Sequence, residues 1–397
     1  MVTLLTPKAR NALARIIVAV CALLLQACAT SAALNTAREQ FRQGSTDVAL
    51  KTLSDADVSR RDQLLLLLDS AMIAQAAGLY QQSITNFEAA YQLIESLDYI
   101  SARDQSAALI SNDWAIRYSG EFSERLWIHT FQMINYLLLD QPSGAAVEAR
   151  RATALYSEHG DVLANDLFTR YLMALSFENA GQFDSAMVEY RKLADKLDDE
   201  VLTVRSSSQR ELTVLVATGF IEPKLPGDLI IDINARVSFP YYPDVYARAP
   251  DIDVIADSDI LPGTRVDTPL LSIARSALDK RGKAIATRHA VRLAAKYSLA
   301  QSIEEQDPLA GSVARLLLFA LEQADTRSWE TLPAHLSLVR VKLPEEATSV
   351  TIRIGNTERL GPTLERRTVQ LDPDNKSHQF SMIRVGTQRL QERIGSP

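Results

Sequence analysis

One segment of the chain, residues 122–139, has the pattern of a helix that is apolar on nearly all sides. It reads FSERLWIHTFQMINYLLL, with large apolar or aromatic residues on every face at helical spacing. Such a helix is stable only when other elements cover most of its surface, so we expect helices to pack before and behind it. The segment therefore predicts the middle of a helical stack.

Small and aromatic residues recur at the same offsets on either side of this segment. One copy comprises Ala71, Gly78, Tyr80, Ser83, Phe87 and Ala90, and another comprises Ala174, Gly181, Phe183, Ala186, Tyr190 and Leu193. A weaker copy contains Gly44, Ala49 and Leu50, and a degenerate copy contains Ile134, Ala146 and Arg150. The pattern resembles the tetratricopeptide repeat, in which small residues let two antiparallel helices approach and an aromatic ring fills the gap. About four helical pairs are expected over residues 34–197, with a plain helical bundle as the alternative.

The residue pattern changes near Val201. Segments rich in β-branched residues predict strands at 212–218, 229–239, 335–343 and 348–354, and helical segments lie between them at 269–305 and 309–323. Hairpins at 343–355 and 367–385 would complete a small antiparallel β-sandwich. The predicted fold class is therefore α+β, with a tetratricopeptide-like α-solenoid over residues 28–200 followed by an α+β domain over residues 211–397.

The first residues have the pattern of a signal peptide. Lys8, Arg10 and Arg15 precede an apolar run at 16–25, which as a helix would span about 15 Å, half of a membrane's hydrocarbon core. The ending Leu25-Gln26-Ala27-Cys28 resembles a bacterial lipobox. This resemblance implies a lipoprotein signal peptide at 1–27 and a lipid on Cys28. Because Ala29 is not the aspartate that retains such lipoproteins at the inner membrane, it also implies the periplasmic face of the outer membrane.

Two separated motifs extend the resemblance over almost the whole mature chain. The first runs from Asn112-Asp113 through Tyr118, Gly120-Glu121, Glu124-Arg125, His129 and Asn135-Tyr136-Leu137 to Val147-Glu148-Ala149-Arg150-Arg151, and the second is Ala324-Asp325-Thr326-Arg327-Ser328-Trp329 with Leu332-Pro333. Together with the lipobox they resemble an uncharacterised family of proteobacterial lipoproteins with tetratricopeptide-like repeats. The resemblance implies the fold and the lipid anchor but no specific activity.

Polar residues near the apolar helix suggest a binding groove. Asn112, Asp113, Glu124, Asn135 and Arg150 would line the concave side of the helical stack. The alternative is structural: His129 lies in line with apolar residues, so it would be a core histidine with its hydrogen bonds satisfied, accompanied by a buried ion pair that fixes the helix register.

Charged residues suggest two further features of the second half. Arg281, Arg288, Arg292 and Lys296 form a basic stripe at helical spacing, which would contact either the acidic helical domain or an external anion. Asp251, Asp253, Asp257 and Asp259 lack the glycine and terminal glutamate of a calcium loop, so we expect a solvated linker there and no metal site. The Asp325–Trp329 motif predicts a corner that fixes helix to sheet, with Arg327 paired to an acid and the Trp329 ring buried.

Net charge and the absence of known catalytic motifs limit the possible functions. Removal of the signal peptide would change the formal net charge from −7 to −10, which argues against nucleic acid as a partner. The sequence contains no HExxH, GxSxG, GxxxxGK[ST] or CxxC motif, so no catalytic residues and no cofactor are predicted. We therefore expect a membrane-anchored scaffold that binds envelope proteins. The alternative is a cell-wall-directed hydrolase or a peptidoglycan-binding protein.

Overall fold

The computed structural model describes residues 32–103, 117–194, 196–197, 209–232, 235–245, 248–320, 323–355, 363–372 and 378–386. Cys28, Asn112 and Asp113 lie outside the described residues, so the lipid anchor and part of the expected groove remain predictions. No helix in the described ranges is long and apolar enough to cross a membrane.

Helices fill the first half of the described chain. They are α1 (32–42), α2 (Thr46–Ser54), α3 (Gln63–Ala76), α4 (Tyr80–Arg103), α5 (Phe122–Leu138), α6 (Pro142–Leu163), α7 (Leu167–Asn179) and α8 (Phe183–Leu193). Short turns join α3 to α4, α5 to α6 and α7 to α8, and the helices of each pair pack against each other. The apolar helix α5 also contacts α3, α4 and α7, as expected for a helix in the middle of a stack.

The turns between paired helices share one backbone conformation. Gly44, Gly78 and Gly181 each adopt a positive φ, and each N–H bonds to a carbonyl of the preceding helix. Each helix therefore ends at a residue in the left-handed backbone conformation, for which glycine is preferred. At the turn between α5 and α6 the same conformation is adopted by Asp140, with φ of 54°. Aspartate is one of the few other residues that tolerate this region.

Asp140 sets the register of the degenerate repeat copy. Aligned on the positive-φ residue, the buried positions of the four copies are Ala37, Ala49 and Leu53; Ala71, Ser83 and Phe87; Met133, Ala145 and Ala149; and Ala174, Ala186 and Tyr190. The expected register, with Ile134, Ala146 and Arg150, is therefore one residue too late. Because aspartate replaced the glycine, the sequence pattern did not reveal the turn.

The strands form two four-stranded sheets and one two-stranded ribbon. They are β1 (Glu211–Thr218), β2 (Leu225–Asp232), β3 (Ala235–Tyr241), β4 (Asp251–Ala256), β5 (Asp259–Ile260), β6 (Gly263–Pro269), β7 (His335–Lys342), β8 (Ser349–Gly355), β9 (Thr363–Gln370) and β10 (His378–Val385). The first sheet has the order β10-β1-β7-β6, the second has the order β5-β4-β8-β9, and β2 pairs only with β3 among the described strands. Helices α9 (Leu270–Glu304) and α10 (Pro308–Ala320) lie between β6 and β7 in the chain.

Three details differ from the sequence-based expectation. The segment 229–239, expected as one strand, includes parts of two strands, β2 and β3, which pair in antiparallel. The aspartate-rich segment is not a linker: Asp251 and Asp253 lie on β4, whose apolar residues alternate inward, and Asp257 forms the tight turn to β5. The final segment also does not form a second antiparallel hairpin, because β10 pairs in parallel with β1. The sandwich is therefore mixed, although its second sheet is antiparallel throughout.

The first sheet separates two cores. Strand β1 is buried along its whole length, as a strand covered on both faces must be. Its residues Leu215 and Ala217 belong to the core shared with the helices, whereas Val214 and Val216 belong to the core shared with the second sheet. The molecule thus has three layers: helices, first sheet and second sheet.

The helical core continues across the expected domain boundary. Helix α8 ends at Leu193 and β1 begins at Glu211, and most of the intervening residues lie outside the described chain. One hydrophobic cluster nevertheless contains residues from α1 to α8 together with Leu270, Trp329 and Leu338 from the second half. The two parts therefore share a core, which their separate sequence patterns did not predict.

Candidate functional site

The described residues of the expected groove are not brought together. Glu124 and Asn135 are 2% and 0% exposed, so neither can line an open groove. The Asn135 side chain accepts a hydrogen bond from Gln75 Nε2 at 2.7 Å and donates one to Ser83 Oγ at 2.9 Å. Arg150 is exposed and donates to Gln182 Oε1 at 2.8 Å. For Glu124 and Asn135 the groove hypothesis is wrong, since both are satisfied inside the helical core.

Glu124 lies where the helices meet the second half of the chain. Its carboxylate accepts hydrogen bonds from the Tyr118 hydroxyl, from the backbone N–H of Glu121 at 2.9 Å and from the backbone N–H of Trp329 at 2.8 Å. Burial raises the pKa of Glu124 above its ordinary value. The contact with the Trp329 backbone attaches helix α5 to the segment that leads into β7.

Glu121, at the start of α5, connects to two basic side chains of the second half. Lys224 Nζ lies 2.8 Å from one carboxylate oxygen, and Arg281 of α9 donates to the other. Burial alone would raise the pKa of Glu121, but Lys224 and Arg281 together lower it to about 2. Arg281 therefore contacts the helical part internally. The side chains of Arg288, Arg292 and Lys296 lie outside the described residues, so the rest of the basic stripe stays a prediction.

His129 is a core histidine, as the structural alternative predicted. Its Nδ1 lies 2.7 Å from Glu148 Oε2, and Arg151 donates to the other oxygen of Glu148 at 2.9 Å. His129 and Glu148 are both almost fully buried. The pair joins α5 to α6.

A buried cluster of Glu178, Glu211 and His378 has the residue types of a metal site. One ligand atom from each lies within 4.8 Å of the others. The cluster already contains a cation, because Arg340 donates to Glu178 Oε1 at 2.9 Å and to Glu211 Oε2 at 2.6 Å. The residues present therefore fit a guanidinium group and leave no position for a metal ion between the two carboxylates.

Two cavities open beside Phe220, between the helices and the first sheet. The larger, here called the arginine cavity, has a volume of about 390 Å³ and is lined chiefly by Phe41, Arg42, Phe220, Arg367, Arg384 and Gly386. The smaller has a volume of about 280 Å³ and includes Glu222, Asp267 and His335. Sequence reasoning missed the arginine cavity because its lining comes from five distant segments. The one local signal was Arg384 on a strand face shared with Phe380 and Met382, which pack against the helical core.

Comparison with known proteins gives little further information. No family model matches the chain, and no curated protein matches its sequence. Two solved structures are similar to part of it: MamA residues 41 to the end from Desulfovibrio magneticus RS-1, and the MamA RS-1 ArsTM double mutant. Each is 15% identical with a TM-score of 0.30, and the similarity covers 42% of this chain and 75% and 74% of those chains, respectively. A similarity this low carries no argument about fold or function.

Proposed function

We propose that the protein is a lipid-anchored scaffold on the periplasmic face of the outer membrane, where its tetratricopeptide-like repeats and second half bind proteins of the envelope machinery. The lipobox at Cys28 supports the location, and the four aligned helical pairs support the repeat assignment. The observation that carries protein binding is an exposed apolar surface on the β2–β3 ribbon.

This surface, the apolar ribbon face, consists of Leu225, Leu229, Phe239 and Tyr241. Leu225 is directly opposite Tyr241, and Phe239 and Leu229 follow on the same face at alternate positions. Their exposed fractions range from 37% for Leu225 to 57% for Leu229. The opposite face contacts the protein in part: the Ser238 hydroxyl accepts a hydrogen bond from the Ala324 N–H, whereas Ile230 on that face is 64% exposed.

A two-stranded ribbon with one apolar face in water is poorly stabilised on its own. Clustered apolar side chains at a protein surface are typical of contacts with another protein. The ribbon also has an unpaired outer strand edge on each side within the described strands, which another chain can use for backbone hydrogen bonds. An envelope protein that covers this face would remove the exposed apolar area from water.

Photo-crosslinking in intact envelopes tests the proposal. A benzophenone amino acid replaces Leu229 or Phe239 in the full-length lipoprotein, and the adducts are identified by mass spectrometry. Ile260 on β5 is the matched control, because it is also 57% exposed but lies on the second sheet. We expect the same envelope protein in adducts from both ribbon positions and not from Ile260. Absence of adducts from the ribbon, or identical adducts from Ile260, would exclude this surface as the binding site.

A further inference from the structure

The arginine cavity has a strongly one-sided charge. It is lined by Arg42, Arg367 and Arg384, and no described lining residue is acidic, in a chain whose formal net charge is −7. Basic side chains in a concave site concentrate positive potential there, because the surrounding protein has a low dielectric constant. This arrangement attracts anions.

Arg384 is bonded differently from the other two arginines. Arg42 forms an ion pair with Glu330 at 3.3 Å, and Arg367 forms one with Glu365 at 2.9 Å. Arg384 Nη2 donates to two backbone carbonyl oxygens, those of Gly219 at 3.1 Å and Thr331 at 3.2 Å. Its Nε and Nη1 are enclosed and have no hydrogen-bond partner among the described residues. Within the described chain, no carboxylate balances its charge.

Aromatic rings hold the Arg384 guanidinium in place. The guanidinium carbon lies 4.9 Å from the centre of the Phe220 ring and 5.6 Å from that of the Phe41 ring. The two rings are 5.4 Å apart and meet edge to face. Contacts with aromatic rings stabilise a cation only partly, so the group still lacks a full counter-charge.

The charge persists at neutral pH. Burial lowers the pKa of Arg384 to about 9, which is still well above 7. Enclosing the Nε and Nη1 of a charged guanidinium without a carboxylate carries a desolvation cost, which the two carbonyl hydrogen bonds and the two ring contacts offset only in part. A negatively charged group in the cavity would remove this cost.

Helix ends of both polarities line the cavity, so helix dipoles do not decide the sign of a ligand's charge. Phe41 and Arg42 end α1 and Ala76 ends α3, whereas Thr46 begins the nine-residue helix α2. No side chain caps this helix start, so the positive end of the helix dipole is not neutralised there by a cap. The acidic residue of the first turn, Asp47, has an exposed side chain and does not line the cavity.

We propose that the arginine cavity binds a small ligand through an anionic oxygen group, a carboxylate or a phosphate, which supplies the counter-charge that Arg384 lacks. Arg42 and Arg367 are already paired with Glu330 and Glu365, so Arg384 supplies the principal attraction, and Phe41 and Phe220 offer apolar contacts to the rest of the ligand. The volume of about 390 Å³ is at the lower end of typical ligand sites, so it suits a small molecule or the end of a peptide. This site is separate from the apolar ribbon face.

Calorimetric titration of the purified full-length mature protein tests the proposal. The probes are inorganic phosphate, N-acetyl-alanyl-alanine with a free carboxylate, and the amide of the same peptide, all at one ionic strength set with chloride. At least one of the two anions should bind, and the neutral amide should bind about tenfold more weakly than the acid if the acid is bound. The anion that binds more tightly identifies the source of the oxygen group.

Two variants make the test specific. Arg384→Met should weaken anion binding by about ten- to a hundredfold, whereas Arg191→Met, which removes an exposed arginine of α8 outside the cavity, should leave it unchanged. Without ligand, Arg384→Met should also melt at a higher temperature than the wild type, because an unpaired buried charge is removed. A purely structural arginine would give a lower melting temperature.

Four results would overturn the proposal. These are binding of neither anion, equally tight measurable binding of the peptide and its amide, unchanged anion binding by Arg384→Met, and binding that occurs only after residues 387–397 are removed. In the last case the chain's own terminal segment would be the occupant of the cavity in place of an external ligand.

Discussion

Trp329 connects the two halves of the molecule through a single side chain. Its ring is fully buried and lies 5.6 Å from Phe87 and 5.8 Å from Phe131, both on the helices. Its indole N–H donates to Thr331 Oγ1 at 2.9 Å. Nearby, Arg327 pairs with Asp325 at 2.7 Å. The predicted corner is confirmed, because the Trp329 ring is buried against two helices and Arg327 is paired with an acid.

Trp329→Ala should lower the free energy of unfolding by about 3–5 kcal/mol, because it removes a large buried ring from between two aromatic neighbours. Urea denaturation followed by circular dichroism measures the loss. Trp329→Phe is the matched control and should cost less, since it retains one aromatic ring. A loss below about 1 kcal/mol for Trp329→Ala would contradict the packing role assigned to this residue.

Glu121 makes a pH-dependent contribution to stability. Its pKa is about 2 in the folded protein and near its ordinary value of 4.5 in the unfolded chain. The folded state is therefore stabilised above about pH 4.5, and this contribution is lost as the pH falls toward 2. At pH 7, Glu121→Gln should cost up to about 3 kcal/mol, and this difference from wild type should shrink between pH 5 and pH 2.

Glu124→Gln is the control for this pH dependence, because burial raises the pKa of Glu124 and gives the opposite sign. Wild-type Glu124 becomes protonated as the pH falls, which stabilises the folded wild type. The Glu124→Gln variant does not gain this stabilisation, so its free energy of unfolding should fall relative to that of wild type. Denaturant midpoints measured at several pH values compare the two variants. A constant difference between wild type and Glu121→Gln from pH 7 to pH 3 would show that Glu121 is not held ionised by Lys224 and Arg281.

Some turn residues and some buried polar residues could be predicted from the sequence, and others could not. Glycines at three helix ends were predictable as turns, whereas Asp140 in the same conformation was not, and the repeat register shifted by one residue as a result. Glu124 and Asn135 are predicted as groove residues because they are expected on the concave side of the helical stack. Whether such a group is instead satisfied in the core depends on residues distant in sequence, such as Gln75 and Trp329.

The buried side chain of Arg340 connects helices α7 and α8 to the first sheet. Arg340 on β7 contacts Glu178 of α7, the Tyr190 hydroxyl of α8 at 3.0 Å and Glu211 of β1. Arg340→Met should cost about 3–5 kcal/mol, because it leaves two buried carboxylates without a cation. Thermal or urea denaturation measures this loss.

Arg353→Met is the matched control for Arg340→Met, since Arg353 is 40% exposed and pairs with Asp253 on β4. Breaking this surface pair should cost about 1 kcal/mol or less. Addition of Glu178→Gln to Arg340→Met should recover part of the lost stability, because one unpaired charge is removed. Equal losses for the two arginine variants would show that the Arg340 cluster does not hold the layers together.

The individual elements were largely predictable, but the pairing of the strands was not. β-Branched residues identified β1 and β7 within a residue or two, and helical periodicity identified α9. The parallel pairing of β1 with β10 joins segments that begin at Glu211 and His378, and no local pattern encodes such a distant partner. The residues Asp251–Ala256 alternate as in a strand, with the aspartates on the less buried face. The aspartates favoured the interpretation as a linker.

We expect the helices and the first sheet to unfold as one cooperative unit. The shared hydrophobic cluster extends from Leu34 to Leu338. Charged contacts cross the same interface, including Arg38 of α1, which bonds both Asp69 of α3 and Glu330 beside Trp329 at 2.7 Å. Isolated helices would therefore expose apolar surface and lose the partners of several buried charges.

The most direct test compares unfolding of the mature chain from residue 29 onward with that of a fragment covering residues 29–200. For the mature chain, calorimetry and circular dichroism should show one transition in which the helices and the first sheet unfold together. The fragment should melt at a much lower temperature or without cooperativity. If the fragment melted cooperatively at the temperature of the full chain, the helices would be an independent domain and the shared core would not stabilise them.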